Sequence, residues 1–167
     1  MLNPRLRAVQ AVRLCASISG SPMRPKLSET DQVSPPVPVP SKLRILLVED
    51  NAVNRTVAAR MLTRLGLTPD TCTNGYEAVE RATANTYDII LMDVHMPKMD
   101  GLEATHRIRA LQRSERTTRI VALTANTTDE TRDACKAAGM DGFLAKPVTI
   151  DELAITLAQL FPPVTDR

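Results

Sequence analysis

Hydrophobic residues from position 43 onward alternate between short continuous runs and longer segments in which they recur every three or four positions. A continuous aliphatic run is typical of a strand that is buried on both faces, as in a parallel sheet. Five segments show this pattern or a shorter form of it: Arg44–Val48, Thr68–Cys72, Ile89–Met92, Ile120–Leu123 and Gly142–Ala145. The sequence therefore predicts five strands.

Each predicted strand is followed by a segment with helical spacing. Val53, Val57, Met61 and Leu65 mark the first helix, which Gly66 ends. The other helices have start signals in which a capping side chain precedes the first turn. These signals are Asn74-Gly75-Tyr76-Glu77, Asp100-Gly101, Thr127-x-x-Glu130 with a stop at Gly139, and Thr149-x-x-Glu152 before Leu153 and Leu157.

Five strand–helix units in about 120 residues imply an α/β fold, with a parallel sheet covered by helices on both faces. We expect this domain to span residues 43–161, followed by a short tail at 162–167. Residues 1–42 are rich in proline and serine and are basic, so we expect a disordered arm or linker. Residues 2–16 also fit a transit peptide or the end of a lost upstream helix.

Composition excludes several classes of function. The first 42 residues carry six basic side chains against two acidic ones, whereas the remainder carries fifteen against seventeen, so the folded part is mildly acidic. Neither this charge nor the four Phe and Tyr residues favours nucleic-acid binding. No apolar stretch approaches the roughly 18 residues that span a bilayer. The three scattered cysteines predict neither a disulfide framework nor a zinc site, and they favour a reducing, cytoplasmic location.

Polar residues stand where the predicted strands end. Glu49 and Asp50 follow the first strand, Asp93 the third and Thr124 the fourth, and Lys146 follows the fifth. Parallel strands end at one edge of a sheet, which is where ligands bind in such folds. Three clustered carboxylates repel one another unless a cation joins them, and oxygen ligands suit Mg²⁺. A carboxylate in such a site can accept a phosphoryl group, with an ammonium and a hydroxyl holding its oxygens.

Each of these residues also has an ordinary structural interpretation. Asp50 or Asn51 could cap the first helix, Asp93 could be a turn residue, Thr124 a loop hydroxyl and Lys146 an exposed charge. Taken singly, the structural interpretation is favoured. Their joint placement at four strand ends favours a functional site that they share.

Four motifs resemble the receiver domain of two-component response regulators. They are Val48-Glu49-Asp50-Asn51, Leu91-Met92-Asp93 through Asp100-Gly101, Ala122-Leu123-Thr124-Ala125 and Leu144-Ala145-Lys146-Pro147. The resemblance covers residue 43 to about residue 161. It implies a doubly wound, flavodoxin-like fold with strand order 2-1-3-4-5.

The resemblance also implies a role for each matching residue. Asp93 corresponds to the phospho-acceptor, Glu49 and Asp50 to the acidic Mg²⁺ pair, and His95 to the position whose backbone carbonyl completes the metal ligands. Thr124 and Lys146 correspond to the phosphate contacts. Three further correspondences are Ala125 as the small residue beside the phosphoryl group, Phe143 as the aromatic switch, and a cis bond between Lys146 and Pro147. Glu49 departs from the more usual Asp, and the His95 imidazole could either tune the lifetime of the phosphoryl group or have no role.

These features predict a signalling domain rather than a conventional enzyme. Its expected partner is a sensor histidine kinase or a histidine phosphotransfer protein, docking near the first helix, with no direct DNA contact. The segment Val48–Arg55 is similar to receivers of hybrid histidine kinases, so the domain either relays phosphate or binds a target protein. One alternative is an interaction-only receiver that takes no phosphate. An aspartyl-phosphate hydrolase is disfavoured because Asp93-Val94-His95 lacks a second acid, and a nucleotide- or flavin-binding protein because no glycine-rich loop follows the first strand.

Overall fold

The computed structural model describes Val39, residues 42–112 and residues 118–162. Most of the predicted arm, together with residues 163–167, lies outside these ranges, so the predicted domain limits stay predictions. Val39 belongs to the predicted linker, yet it packs against the core. Among the described residues, no helix is long and apolar enough to cross a membrane.

Strands and helices alternate strictly along the described chain. They are β1 Ile45–Val48, α1 Ala52–Arg64, β2 Pro69–Cys72, α2 Gly75–Ala84, β3 Ile89–Asp93, α3 Gly101–Leu111, β4 Arg119–Thr124, α4 Asp129–Ala138, β5 Gly142–Ala145 and α5 Ile150–Leu160. The strands form one parallel sheet in the order β2-β1-β3-β4-β5. The predicted doubly wound α/β fold is confirmed.

Two hydrophobic clusters sandwich the sheet. Alternate strand residues point to opposite faces, so Leu46 and Ile90 join the cluster beneath α2, α3 and α4. Leu47 and Leu91 join the cluster beneath α1 and α5, together with residues such as Leu62 and Leu157. All residues of β1 and β3 are buried, which accounts for their continuous apolar pattern. Packing on both faces therefore fixes the positions of β1 and β3 and of the residues at their carboxyl ends.

The structure corrects two details of the helix predictions. Val53 and Val57 have the predicted helical spacing, but they are 70% and 46% exposed. In α1 the buried residue is Leu62, so half of the predicted apolar stripe faces solvent. The start of α4 is capped by Thr128, whose side chain accepts a hydrogen bond from Thr131 N, and not by Thr127. The capping box at Thr149 and Glu152 is present as predicted.

The cysteines described by the structure are free and buried. Burial raises the pKa of the Cys72 thiol to about 12, with a further contribution from the negative charge of Glu77. Burial likewise raises the pKa of Cys135. These thiols therefore remain protonated and behave as small apolar groups, since the thiolate is the reactive form. Cys15 lies outside the described residues.

Candidate functional site

The end of β1 supplies two of the carboxylates. Glu49 is buried directly after the strand, whereas Asp50 is exposed. Asn51, and not Asp50, caps α1, because its side chain accepts hydrogen bonds from Val53 N and Asn54 N. The structural interpretation of Asp50 as the cap is therefore wrong, and its carboxylate is available to a ligand.

The third carboxylate, Asp93, is the last residue of β3 and is only 4% exposed. Its Oδ1 accepts a hydrogen bond of 3.2 Å from His95 N, while the His95 residue is exposed. The loop then folds back so that Gly101 N donates to Val94 O. A Cβ at Gly101 would collide with the Asp93 carbonyl oxygen, so only glycine allows α3 to begin this close to the site.

Lys146 joins the first and third strand ends. Its Nζ lies 2.6 Å from Glu49 Oε2 and 2.8 Å from Asp93 Oδ2, and its side chain is 19% exposed. The peptide bond to Pro147 is cis. Lys146 N also donates to Thr124 O, which connects the ends of β4 and β5. One ammonium group is thus shared by two buried carboxylates from different strands, which leaves an excess of negative charge.

The electrostatics of the site are unbalanced. Burial raises the pKa of Asp93 above its ordinary value; the Lys146 ammonium opposes this shift, and the Glu49 charge adds to it. For Lys146, burial alone lowers the pKa, but hydrogen bonds and charges from Asp93 and Glu49 outweigh burial and raise it. The lysine is therefore held in its charged form, whereas burial, and to a smaller extent the Glu49 charge, disfavours the ionised form of Asp93 and raises its pKa.

The carboxylates fit a hard divalent cation. Ligand oxygens from Glu49, Asp50 and Asp93 all lie within 4.8 Å of one another. Carboxylate oxygens with open positions for water and phosphate are the ligands that Mg²⁺ prefers. The donor set therefore matches the predicted metal, and the charge of a cation would relieve the repulsion just described.

The predicted switch residues lie beside this cluster. The buried Thr124 Oγ1 donates a 3.0 Å hydrogen bond to Asn126 O and accepts one from Asn126 N, and Ala125 is exposed. Phe143 on β5 is half-buried, and the Arg132 guanidinium carbon lies 4.2 Å from the centre of its ring. The Thr124 hydroxyl is thus engaged by the backbone of its own loop.

Sequence reasoning did not assign the residues that hold the Glu49–Asp50 segment. Asn54 Nδ2 donates to Glu49 Oε1 at 3.1 Å, and Arg55 Nη1 donates to the carbonyl oxygens of Glu49 and Asp50 at 2.7 and 3.1 Å. Both residues lie in the segment Val48–Arg55, for which the sequence offered only a resemblance and no individual roles. The available signal was their position in the first turn of the helix that follows the acidic pair.

Comparison with known proteins identifies the class of this fold and site. The family model of the response regulator receiver domain matches residues 45–158. A probable histidine kinase of rice, Oryza sativa subsp. indica, is 38% identical over 156 residues, covering 75% of this chain. That match covers 16% of the kinase, so the chain spans about a sixth of the length of this curated relative.

Solved structures agree with the family match. The receiver domain of the Pseudomonas aeruginosa sensor histidine kinase PA1611 is 45% identical with a TM-score of 0.66, covering 71% of this chain and 96% of that domain. That structure holds a magnesium ion in its active-site cleft. A further match is the Saccharomyces cerevisiae Ssk1 receiver, which was crystallised with the histidine phosphotransfer protein Ypd1. It is 27% identical with a TM-score of 0.66, and the match covers 71% of this chain and 88% of that one.

Proposed function

The chain belongs to the response regulator receiver domain family, and from this membership we propose that it accepts a phosphoryl group on Asp93. Receiver domains act in two-component signalling and do not form a conventional enzyme family. The observation that carries the proposal is the buried Asp93 carboxylate, held by Lys146 and sharing a 4.8 Å cluster with Glu49 and Asp50.

The proposed step is transfer from a phosphohistidine. An Asp93 carboxylate oxygen attacks phosphorus, the phosphorus–nitrogen bond breaks, and the imidazole leaves with the electron pair. Mg²⁺, when bound by Glu49, Asp50 and Asp93 with the His95 carbonyl, supplies positive charge beside the phosphoryl oxygens. Lys146 pairs with these oxygens, and the His95 N–H fixes the orientation of the Asp93 carboxylate. Catalysis of this kind consists mainly of positioning and charge neutralisation.

The conformational output follows from the residues beside the acceptor. In the proposal, Thr124 leaves its hydrogen bond to Asn126 O and donates to a phosphoryl oxygen, with Ala125 leaving space for the group. Phe143 then moves inward from beneath Arg132. This repacks the surface formed by α4, β5 and α5, so that a local change of charge alters a protein-binding face.

The expected donor is a sensor histidine kinase or a histidine phosphotransfer protein. The exposed Val53 and Val57 on α1 support docking there, because exposed apolar side chains near a site often mark an interface. Whether the domain relays the group onward or binds a target belongs to the same proposal. A cytoplasmic location, 1–42 as a linker and 43–161 as the complete domain also stay predictions.

Acetyl phosphate with Mg²⁺ tests the acceptor directly. Intact-mass analysis of the full chain is expected to show one added phosphoryl group. The group should not be added when Mg²⁺ is chelated before the reaction, nor in Asp93→Ala. Asp133→Ala, which removes an exposed acid on α4, is the matched control and should still be labelled. An unlabelled chain that remains folded would overturn the proposal and favour the interaction-only receiver.

Beryllofluoride tests the switch, because it mimics the phosphoryl group without transfer. With Mg²⁺ it should shift the amide resonances of Thr124 and Phe143 in the wild-type chain. An unchanged spectrum at those two residues, in a chain that acetyl phosphate does label, would rule out the switch while leaving the acceptor role intact.

A further inference from the structure

The Glu49 carboxylate is held at both of its oxygens. Oε2 contacts Lys146 Nζ at 2.6 Å, and Oε1 accepts the amide hydrogen bond from Asn54 Nδ2 at 3.1 Å. Glu49 is only 2% exposed, so water has little access to its carboxylate and cannot readily take the place of these two partners. The two anchors come from different parts of the fold, since Lys146 follows β5 and Asn54 lies in the first turn of α1.

Asn54 is itself held in place by the start of the helix. The Asn51 side chain accepts from Asn54 N, which fixes the first turn of α1. Arg55 ties the same turn to the carbonyl oxygens of Glu49 and Asp50. The Asn54 amide is therefore presented to the acidic pair from a rigid support, and not from a flexible loop.

Glutamate needs this support more than aspartate would. The extra methylene adds one rotatable bond, so ordering the carboxylate costs more conformational entropy. Lys146 contacts the same carboxylate that a cation would use, so the two compete for it. A carboxylate that lost its Asn54 contact would be free to turn fully towards the ammonium.

We infer that Asn54 is a positioning residue that orients the Glu49 carboxylate for the divalent cation, offsetting the additional methylene at this position. The inference rests on the proposed function, because it concerns the same metal site. Asn54 acts through Glu49 and does not contact the phosphoryl group. Its contribution should therefore depend on the length of the side chain at position 49.

A double-mutant cycle on Mg²⁺ binding tests this dependence. The Mg²⁺ dissociation constant is measured by following amide resonances of His95 and Thr124 during titration of the full chain with Mg²⁺ alone. Asn54→Ala is expected to raise the dissociation constant about three- to tenfold, a change in the range of one ordinary hydrogen bond, because Asn54 acts on the cation only through Glu49. In the Glu49→Asp background the same change should have less than about a twofold effect, because the shorter carboxylate ends farther from Asn54.

Thr56→Ala is the matched control for damage to the helix. Its hydroxyl bonds to Ala52 O within the same turn of α1 and does not reach the site. This variant should bind Mg²⁺ as the wild type does, and thermal unfolding shows whether each variant is folded.

Two results would overturn the inference: wild-type Mg²⁺ affinity in Asn54→Ala, or an equal loss of affinity in both backgrounds. If the wild-type chain bound no Mg²⁺ and took no phosphoryl group, both the proposed function and the inference on Asn54 would fail. If acetyl phosphate labels the wild type normally and Asn54→Ala binds Mg²⁺ as the wild type does, only the inference on Asn54 fails.

Discussion

Each edge of the sheet places one charged side chain between two of the opposite sign, but the two edges differ in the sign of the excess charge and in burial. At the amino-terminal edge, the single carboxylate of Asp141 is shared by Arg109 at 2.8 Å, Arg119 at 3.0 Å and the backbone N–H of Ile120. At the carboxyl-terminal edge, the Lys146 ammonium is shared by the carboxylates of Glu49 and Asp93.

Burial and the sign of the excess charge distinguish the two edges. Arg109 also donates to Gly139 O and Thr118 O, so it fastens the end of α3 to the chain around β4 and β5. The three charged side chains of this network are 19% to 47% exposed, so solvent screens its excess positive charge and the network stabilises the fold. At the opposite edge the two carboxylate side chains paired with the ammonium group are only 3% and 5% exposed, and their excess negative charge costs stability unless a positive ligand arrives. An excess of buried negative charge at the strand ends is thus the feature that distinguishes the proposed site.

The variant expected to lose most stability is at the amino-terminal edge. Asp141→Ala should lower the free energy of unfolding by about 2–3 kcal/mol, because it leaves two arginines without their partner in a partly buried network. Asp93→Ala removes an even more buried carboxylate, yet it should change that free energy by less than about 1 kcal/mol, since it also removes repulsion. Urea denaturation in the absence of metal measures both. Equal losses in the two variants would contradict the comparison.

Magnesium should stabilise the molecule through the carboxylates of the carboxyl-terminal edge alone. At a concentration tenfold above its dissociation constant, Mg²⁺ is expected to raise the free energy of unfolding by about 1.4 kcal/mol, as mass action requires for one site. The gain should persist in Asp141→Asn and shrink in Asp50→Asn. Differential scanning calorimetry with and without chelator provides the measurement, and a gain of full size in Asp50→Asn would place the ion elsewhere.

The pH dependence of the free energy of unfolding tests the buried Asp93 carboxylate by itself. The pKa of Asp93 is raised in the folded state, so the unfolded chain loses this proton first as the pH rises above the ordinary value of 3.8. Metal-free wild type should therefore lose stability relative to Asp93→Asn between that value and the raised pKa. The slope must stay below about 1.4 kcal/mol per pH unit, the most that one proton contributes. Stability curves of the two proteins that stay parallel from pH 4 to 7 would refute the raised pKa.

The smallest effect belongs to a charge pair at neither edge. Arg107 and Glu103 form a 2.7 Å pair on α3, and both side chains are about half exposed. Glu103→Gln should lower the free energy of unfolding by only about 0.3–0.5 kcal/mol. Thermal unfolding at low and high salt measures it. A loss as large as that of Asp141→Ala would show that burial is not what distinguishes these pairs.

Much of the fold could be predicted because local sequence patterns indicate where its strands and helices begin and end. Continuous aliphatic runs located the central strands, and Asn74, Gly139 and Thr149 located helix ends through capping chemistry. The α4 start was misplaced by one residue because Thr127 and Thr128 are both good capping residues. The spacing of Val53 and Val57 gave the right helix, but periodicity could not distinguish a core-facing valine from an exposed one.

Spacing along the chain was enough to predict the five strand–helix units and the polar residues at the strand ends. The distances at which those residues meet depend on how the strands pack. Lys146 reaches Glu49 and Asp93 because the parallel strands bring three distant segments to one edge. Contacts between segments far apart in sequence depend on packing, which no local pattern records.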